Sequence, residues 1–282
     1  VKIGIVAHPR KPEAPEALRR IRESLLRRGF ELQLEEKTAV MAEEEGVSRF
    51  WEGADVVISL GGDGTLLEAV HRMGGSAVPV AGVNIGNLGF LTTCQDEQIE
   101  ELAGVLERGE EQIVERSMLS VKMEEEGVGA REFLALNEVV LMRGETGRLV
   151  SLEARVNGEL LNHYRADGLI VATPSGSTAY SLAAGGPLIS PRAAVFVLSP
   201  ICPHSLSNRS LVVGDDSVVE IMPDGGNEEP ILFTVDGRKV LRLAKGCVVR
   251  VEKSTQSLRL VRMPGHSFYD TLRRKLRWHG GV

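Results

Sequence analysis

The stretch Asp55-Val-Val-Ile-Ser-Leu-Gly-Gly-Asp-Gly-Thr-Leu-Leu67 decides the fold. Val56 to Leu60 is apolar apart from Ser59, the pattern of a central strand covered on both faces. Gly61, Gly62 and Gly64 then surround one carboxylate, and helical spacing resumes from Thr65 to Met73. Glycines open backbone angles closed to other residues and let a ligand come close to the main chain. Asp63 is therefore expected at the carboxyl end of a strand, where open α/β sheets bind ligands. The turn is not a Walker loop, because no Gly-Lys-Ser/Thr follows. Nor is it a dinucleotide fingerprint, whose third glycine would fall on an apolar residue. Taken alone, the four residues read equally well as a tight strand-to-helix turn with a solvated aspartate.

The rest of the chain has to decide, and its composition narrows the choice. A chain of 282 residues has room for two ordinary domains, and 43% hydrophobic with 4% aromatic residues implies mainly aliphatic cores. The 33 basic and 39 acidic residues give a net charge of −6, which argues against a general attraction to nucleic acid or anionic membrane. Cys94, Cys202 and Cys247 form no CxxC pair, and their odd number fits reduced thiols better than a disulfide scaffold. No structural zinc site is legible. No apolar run approaches the roughly 20 residues that span a bilayer, so a cytoplasmic protein is expected.

Outward from the glycine turn the rhythm is strand, helix, strand. Lys2 to Ala7 reads as a strand and His8-Pro-Arg-Lys-Pro12 as a loop. Ala14, Leu18, Ile21 and Leu25 recur at helical spacing until Gly29 offers a C-cap. Glu31 to Glu35 alternates as a half-buried strand would, and an acidic helical segment is expected around Glu43-Glu-Glu45. Val78 to Val83 reads as another strand, running into the glycine-bearing loop Asn84 to Phe90, whose aromatic looks exposed. Asp96 can cap a helix through Ile99, Leu102 and Leu106 that Gly109 ends. The first domain is expected to span 1–115.

Beyond it the period changes to two. Val114 to Met123, Phe133 to Leu141, Leu149 to Val156, Leu211 to Met222, Ile231 to Leu243 and Val248 to Met263 are all strand-rich, giving a mainly β domain over 116–262. Asn157-Gly158 and Asp236-Gly237 suit type I′ hairpin turns. One helix is expected from Thr178 to Gly185, after Pro174-Ser-Gly-Ser177. A last one, Phe268 to Trp278, lies in a segment 263–282 expected to pack on the first domain, its Arg273, Arg274, Lys275 and Arg277 forming a solvated face. The acid- and glycine-rich stretches Met123 to Arg131 and Asp224 to Glu229 are expected to be surface turns.

Three polar blocks interrupt the apolar runs of the β half: Leu136-Asn-Glu-Val139, Tyr164 to Leu169 with Thr173 to Tyr180, and Pro200 to Arg209. Within the first, simple alternation puts Glu138 on a wet face and leaves Asn137 pointing inward, where an unsatisfied amide costs about 1–3 kcal/mol. A purine edge or ribose hydroxyls would satisfy it. In the second, free amides ahead of the Thr178 helix suit a phosphate or a base, although Ser177 read alone is a plain helix cap.

Gly61-Gly-Asp-Gly-Thr65, Asn84 to Phe90, Asn137-Glu138, Asp167 to Tyr180 and Pro203 to Arg209 together resemble the bacterial NAD kinase family in order and spacing, over nearly the whole chain. The Gly-Gly-Asp-Gly core also marks diacylglycerol, sphingosine and 6-phosphofructo-kinases; the Asp167 to Tyr180 block is the specific part. The resemblance implies an α/β nucleotide-binding-like domain followed by a β-rich, sandwich-like one. It also implies transfer of the γ-phosphoryl group of ATP to the 2′-hydroxyl of the adenosine ribose of NAD, with active sites between domains and neighbouring subunits of a homodimer or homotetramer. Asp63 matches the general base and a ribose contact, and Gly61, Gly62, Gly64 and Thr65 match the phosphate-donor loop. Gly64, Phe90, Asn137, Glu138, Arg165, Asp167, Ser175, Thr178, Ala179, Tyr180, Ser181, Leu182 and Ala183 match NAD-binding positions, though Tyr180 reads equally as core. Arg148, Cys202, Asp236 and Arg238 do so less distinctly, Asp236 being already explained by its hairpin. Mg²⁺ or another divalent cation is implied as carried with ATP, with no metal ligand fixed by the protein itself. The competing expectations are a lipid or sugar kinase sharing only the glycine core, and a non-catalytic NAD(P) sensor.

Overall fold

Alternating strand and helix periods become a parallel α/β layer in the first part of the chain, and the period-two region becomes a sandwich. The structure, a computed structural model, describes residues 1–278 apart from 87, 126–128, 145–146, 225–229, 239–240 and 244–245. The chain divides into two compact units, residues 1–115 with 258–282, and residues 116–257.

The first unit runs β1 (Lys2–Ala7), α1 (Ala14–Arg27), β2 (Glu31–Leu34), α2 (Glu36–Met41), β3 (Val56–Gly61), α3 (Asp63–Met73), β4 (Val80–Asn84), β5 (Cys94–Gln95) and α4 (Ile99–Arg108). Strands β2, β1, β3 and β4 lie side by side and parallel, with Gly61 of β3 level with Asn84 of β4. Ile3, Ile5, Ile58, Leu60 and Val83 from the strands pack with Leu18, Ile21 and Leu25 of α1 and Leu102 of α4 in one fully buried core. The C-terminal helix (Phe268–Leu276) belongs to this unit and starts at Ser267, whose hydroxyl accepts from the Tyr269 N–H. The acidic segment behaves differently from expectation. Glu35 caps α2 through the Thr38 N–H, but the helix stops at Met41, and Glu43 takes a left-handed φ of 54°.

The second unit is built from two antiparallel sheets. The first carries β6 (Gln112–Glu125), β7 (Gly129–Ala135), β9 (Val150–Val156), β10 (Glu159–Ala166), β14 (Val219–Pro223) and the start of β17 (Val248–Arg262). The second has the order β13-β12-β11-β8-β15-β16, over Leu211–Gly214, Val195–Ile201, Gly168–Ala172, Glu138–Met142, Ile231–Val235 and Leu241–Leu243. Leu152, Val249 and Val251 from one sheet and Leu141, Val171, Phe196 and Phe233 from the other share one core. Both hairpins are where their turn residues place them. Asn157 and Gly158 have φ of 52° and 81°, Asp236 and Gly237 47° and 67°, and their flanking strands pair antiparallel.

Two strand-rich stretches are each divided. Phe133 to Leu141 breaks at Leu136–Asn137, because β7 belongs to one sheet and β8 to the other. Leu211 to Met222 likewise splits into β13 and β14. The expected helix from Thr178 to Gly185 is only a 3-10 turn at Gly176–Thr178 followed by one turn, α5 (Tyr180–Ala183). Hydroxyls there bond to nearby carbonyls, Ser177 Oγ to Pro174 O at 2.7 Å and Thr178 Oγ1 to Ser175 O at 3.0 Å, and such local bonds compete with a regular helix. Residues 126–128 and 225–229, within the two expected surface turns, lie outside the described residues.

Candidate active site

In the first unit, parallel pairing sets the carboxyl ends of β1, β3 and β4 side by side, and the chain turns from Gly61 of β3 directly into α3. The three glycines are not there for left-handed angles, since none of Gly61, Gly62 or Gly64 has a positive φ; Gly62 is extended at −151°. Gly61 is required for space instead: a Cβ there would lie 2.1 Å from Thr65 Oγ1. Thr65 is buried and its hydroxyl finds no partner.

Asp63 opens α3, but it is not the solvated aspartate of a bare turn. Its Oδ2 accepts from the Phe90 N–H at 2.8 Å and its Oδ1 from the Leu91 N–H at 3.0 Å. The approach is so close that a Cβ on Gly89 would sit 2.1 Å from Oδ1. A carboxylate offers about four lone-pair sites, so a third partner can still be accepted. Phe90 is half-buried rather than exposed. Its ring lies 6.4 Å from that of Phe268, with the Lys275 ammonium 5.1 Å from its centroid.

Arg262, which no sequence pattern singled out, is buried close by. Its Nη1 donates to Thr92 O at 3.3 Å while Nη2 has no acceptor. Burial pulls its pKa down and the Asp63 charge pushes back.

In the second unit Asp236 is the hub. Its carboxylate, buried at the tip of the β15–β16 hairpin, accepts from three consecutive main-chain N–H groups, Leu136 at 2.8 Å, Asn137 at 2.8 Å and Glu138 at 2.9 Å. These bonds hold the break between β7 and β8. Thr173 braces the other side, its Oγ1 donating to Leu136 O at 2.6 Å and its N–H to Asn137 O at 2.8 Å.

Asn137 and Glu138 are both buried, so Glu138 is not on a wet face as simple alternation implied. Alternation fails because Asn137 lies in the sheet-to-sheet break, outside β8. Burial, and secondarily the Asp236 charge, push the Glu138 carboxyl up to about 8, with the Tyr180 N–H partly opposing. Asn137 Oδ1 and Glu138 Oε2 have no hydrogen-bond partner. Such orphaned buried atoms are expected where a ligand completes the set.

The remaining residues divide by exposure. Ser175 is buried, as is Ser181, whose hydroxyl lies 3.0 Å from Ser199 Oγ. Thr178, Ala179 and Leu182 are half-buried, and Ala183 is exposed. Tyr180 is 38% exposed, which removes the reading of it as core. Asp167 does not stand free: Arg143 Nε donates to its Oδ1 at 2.6 Å. Arg165 on β10, Arg148, Arg238 and Cys202 are exposed, and Cys202 has a φ of 43°. Arg143 escaped the sequence reading because its pairing with Asp167 follows from β8 lying beside β11, which no local pattern announces.

This arrangement offers a strand-end carboxylate above a glycine turn in one unit and an under-satisfied amide–carboxyl pair in the other. Residues 3–111 match the family model of the ATP-NAD kinase N-terminal domain, and residues 136–263 match that of the ATP-NAD kinase C-terminal domain. The chain belongs to the NAD kinase family. It is 39% identical to the NAD kinase of Solibacter usitatus, covering 98% of this chain and 96% of that one. To the NAD kinase of Symbiobacterium thermophilum it is 44% identical over 80% of each. The fold matches that of yeast NADH kinase complexed with NADH, with a TM-score of 0.92 at 24% identity, over 100% of this chain and 89% of the other. An NAD kinase from Archaeoglobus fulgidus in complex with ATP superposes with a TM-score of 0.77 at 26% identity, covering 99% and 100%.

Membership makes the chain a phosphotransferase. Among the described residues no group of three or more His, Cys, Asp or Glu is gathered as a metal cluster, and no helix is long and apolar enough to cross a membrane.

Proposed function

We propose that this NAD kinase phosphorylates NAD with ATP through Asp63 as general base, with the nucleotide groups of NAD bound by the polar blocks of the second unit. The observation that carries the assignment is the Asp63 carboxylate, fixed by two main-chain amides at the start of α3 with lone pairs to spare. The 2′-hydroxyl of the adenosine ribose attacks the γ-phosphorus of ATP. Its proton passes to the Asp63 carboxylate, the bond from phosphorus to the β,γ-bridging oxygen breaks, and ADP leaves. Phosphoryl transfer has a loose transition state, so orientation and charge do most of the work and an ordinary carboxylate suffices as base.

Asn137 and Glu138 hold the adenosine part through the side-chain oxygens left without partners, with Thr178, Ala179 and Tyr180 beside them, and Phe90 is the aromatic that the family resemblance assigns to adenine. Asp167, oriented by Arg143, accepts from the nicotinamide carboxamide, and Arg165 reaches a phosphate. Residues 1–115 with 263–282 handle the donor, and 116–262 the dinucleotide. Among the described residues, the carboxylate that stands beside the turn is that of Asp63. It fits a Mg²⁺ ion that arrives on the triphosphate, since Mg²⁺ is bound by one or two carboxylates plus substrate phosphates. Bound in that way, the ion neutralises charge on the phosphate oxygens. A cytoplasmic homo-oligomer, dimer or tetramer, completes the proposal, supported by the family resemblance.

The test is NADP formation from NAD, ATP and Mg²⁺, read with an NADP-specific dehydrogenase. Asp63→Asn should lower kcat by about 10²–10⁴-fold, the range of general-base contributions, while the one amide that loses its acceptor costs only about 1–3 kcal/mol of stability. A variant retaining most of the wild-type rate would remove Asp63 from the base role.

A further inference from the structure

The loop His8-Pro-Arg-Lys-Pro12, which reads in sequence as a plain connection, carries a side chain that crosses to the glycine turn. Lys11 Nζ donates to Ile85 O at 2.5 Å and lies 3.5 Å from Gly61 O, so the ammonium bridges the carboxyl ends of β3 and β4. Two glycines of the turn and its neighbouring loop lie beside it. A Cβ on Gly86 would come 3.5 Å from Nζ and one on Gly62 4.0 Å.

We propose that Lys11 binds the β- and γ-phosphates of the phosphoanhydride donor at this turn. The proposal rests on the reading of the chain as an ATP-dependent kinase and adds a residue to it.

Three observations support the assignment. First, the ammonium is held only by neutral carbonyls; among the described residues it has no carboxylate partner, whereas Arg72 and Arg143 are both paired with acids. An ammonium has three donors and acts as a compact point charge for phosphate, so a partner of full negative charge is what its surroundings lack. Secondly, α3 is 11 residues long and starts at Gly62 with no side-chain cap, and the positive end of the helix lies next to Nζ, which a Cβ on Gly62 would approach to 4.0 Å. Thirdly, Thr65 Oγ1, on a side chain only 6% exposed and directly under Gly61, has no hydrogen-bond partner. A phosphate oxygen at the turn would meet the ammonium beside the helix start.

In the transfer step Lys11 moves no proton. As the bond to the bridging oxygen breaks, negative charge grows on the departing ADP, and a fixed positive charge there is worth more in the transition state than in the ground state.

The experiment compares Lys11→Met and Lys11→Arg with the unsubstituted enzyme. Lys11→Met should lower kcat/KM for ATP by about 10–100-fold, the worth of a charge-assisted bond, while leaving KM for NAD within about twofold; Lys11→Arg should recover a large part of the loss. Calorimetric binding of ADP, and separately of inorganic triphosphate, needs no turnover and should weaken at least tenfold in Lys11→Met. Loss with both probes places the contact on the phosphates, and loss with ADP alone would make it specific to nucleotide donors. Equal donor binding by Lys11→Met and the unsubstituted protein, or an equal rise in KM for NAD, would overturn the proposal. Absence of NADP formation by the unsubstituted enzyme would instead count against the kinase reading, and the binding arm would still decide the role of Lys11.

Discussion

Asp63 and Asp236 do the same thing in two places and serve different ends. Each carboxylate gathers main-chain amides from a loop distant in sequence, Asp63 from Phe90 and Leu91, Asp236 from Leu136, Asn137 and Glu138. Asp63 sits half-buried at an open helix start, with only two amides and spare lone pairs. Asp236 is buried and accepts from three amides. A half-buried carboxylate that fastens a loop and keeps lone pairs to spare can also react. One closed in on every side holds architecture, and its charge is felt only by its neighbours.

If that distinction is right, the two aspartates should separate activity from stability. The largest effect expected is the loss of turnover in Asp63→Asn described above, without a matching loss of fold. Asp236→Ala should do the reverse. Three buried amides lose their acceptor at about 1–3 kcal/mol each before relaxation, so a loss of about 3–5 kcal/mol is expected in the denaturant-induced unfolding of the second unit. Asp236→Asn keeps one acceptor oxygen and the left-handed angle that asparagine tolerates, and should lose less than half as much. A stable Asp236→Ala protein would break the comparison.

Next in size is the space that Asp63 needs. In Gly89→Ala the new methyl would lie 2.1 Å from Oδ1, pushing the carboxylate from its two amides. Misplacement of a reacting group by about 1 Å can cost about 100-fold, so kcat should fall by about 10–100-fold with little change in the circular dichroism spectrum. Near-normal kcat would mean that the Asp63–loop contact is not the working geometry.

The same pair of sites shows where sequence was readable. The Asp63 turn was legible because its signals are local: an apolar run, glycines and a resumed helical period within a dozen residues. The two hairpins were legible for the same reason, through Asn157-Gly158 and Asp236-Gly237. The purpose of the glycines was not, since Gly61 serves space around Thr65 rather than an unusual φ. Nor was the second function of Asp236, because its partners lie 98 to 100 residues away. The break at Leu136–Asn137, the Arg143–Asp167 pair and buried Arg262 depend equally on which strands become neighbours. Around Ser175 to Thr178 the hydroxyls favoured local bonds over the helix that spacing suggested.

The last effect is also the most specific to this pairing, because Asp236 acts on Glu138 through charge as well as through the main chain. Burial and that charge raise the Glu138 carboxyl from an ordinary value near 4.5 to about 8. Below pH 4.5 the folded and unfolded chains both hold the proton. Between 4.5 and about 8 the folded protein keeps it while the unfolded chain gives it up, so the contribution of Glu138 to stability is lost as pH rises through that window. The melting temperature of the native protein should therefore fall more between pH 5 and pH 8 than that of Glu138→Gln, which has no proton to lose. Asp236→Asn removes one of the two causes of the shift, and its pH slope should lie between them. Parallel slopes for the native protein and Glu138→Gln would show that Glu138 is ionised in the fold, and that the Asp236 carboxylate sits beside a charge that some further group neutralises.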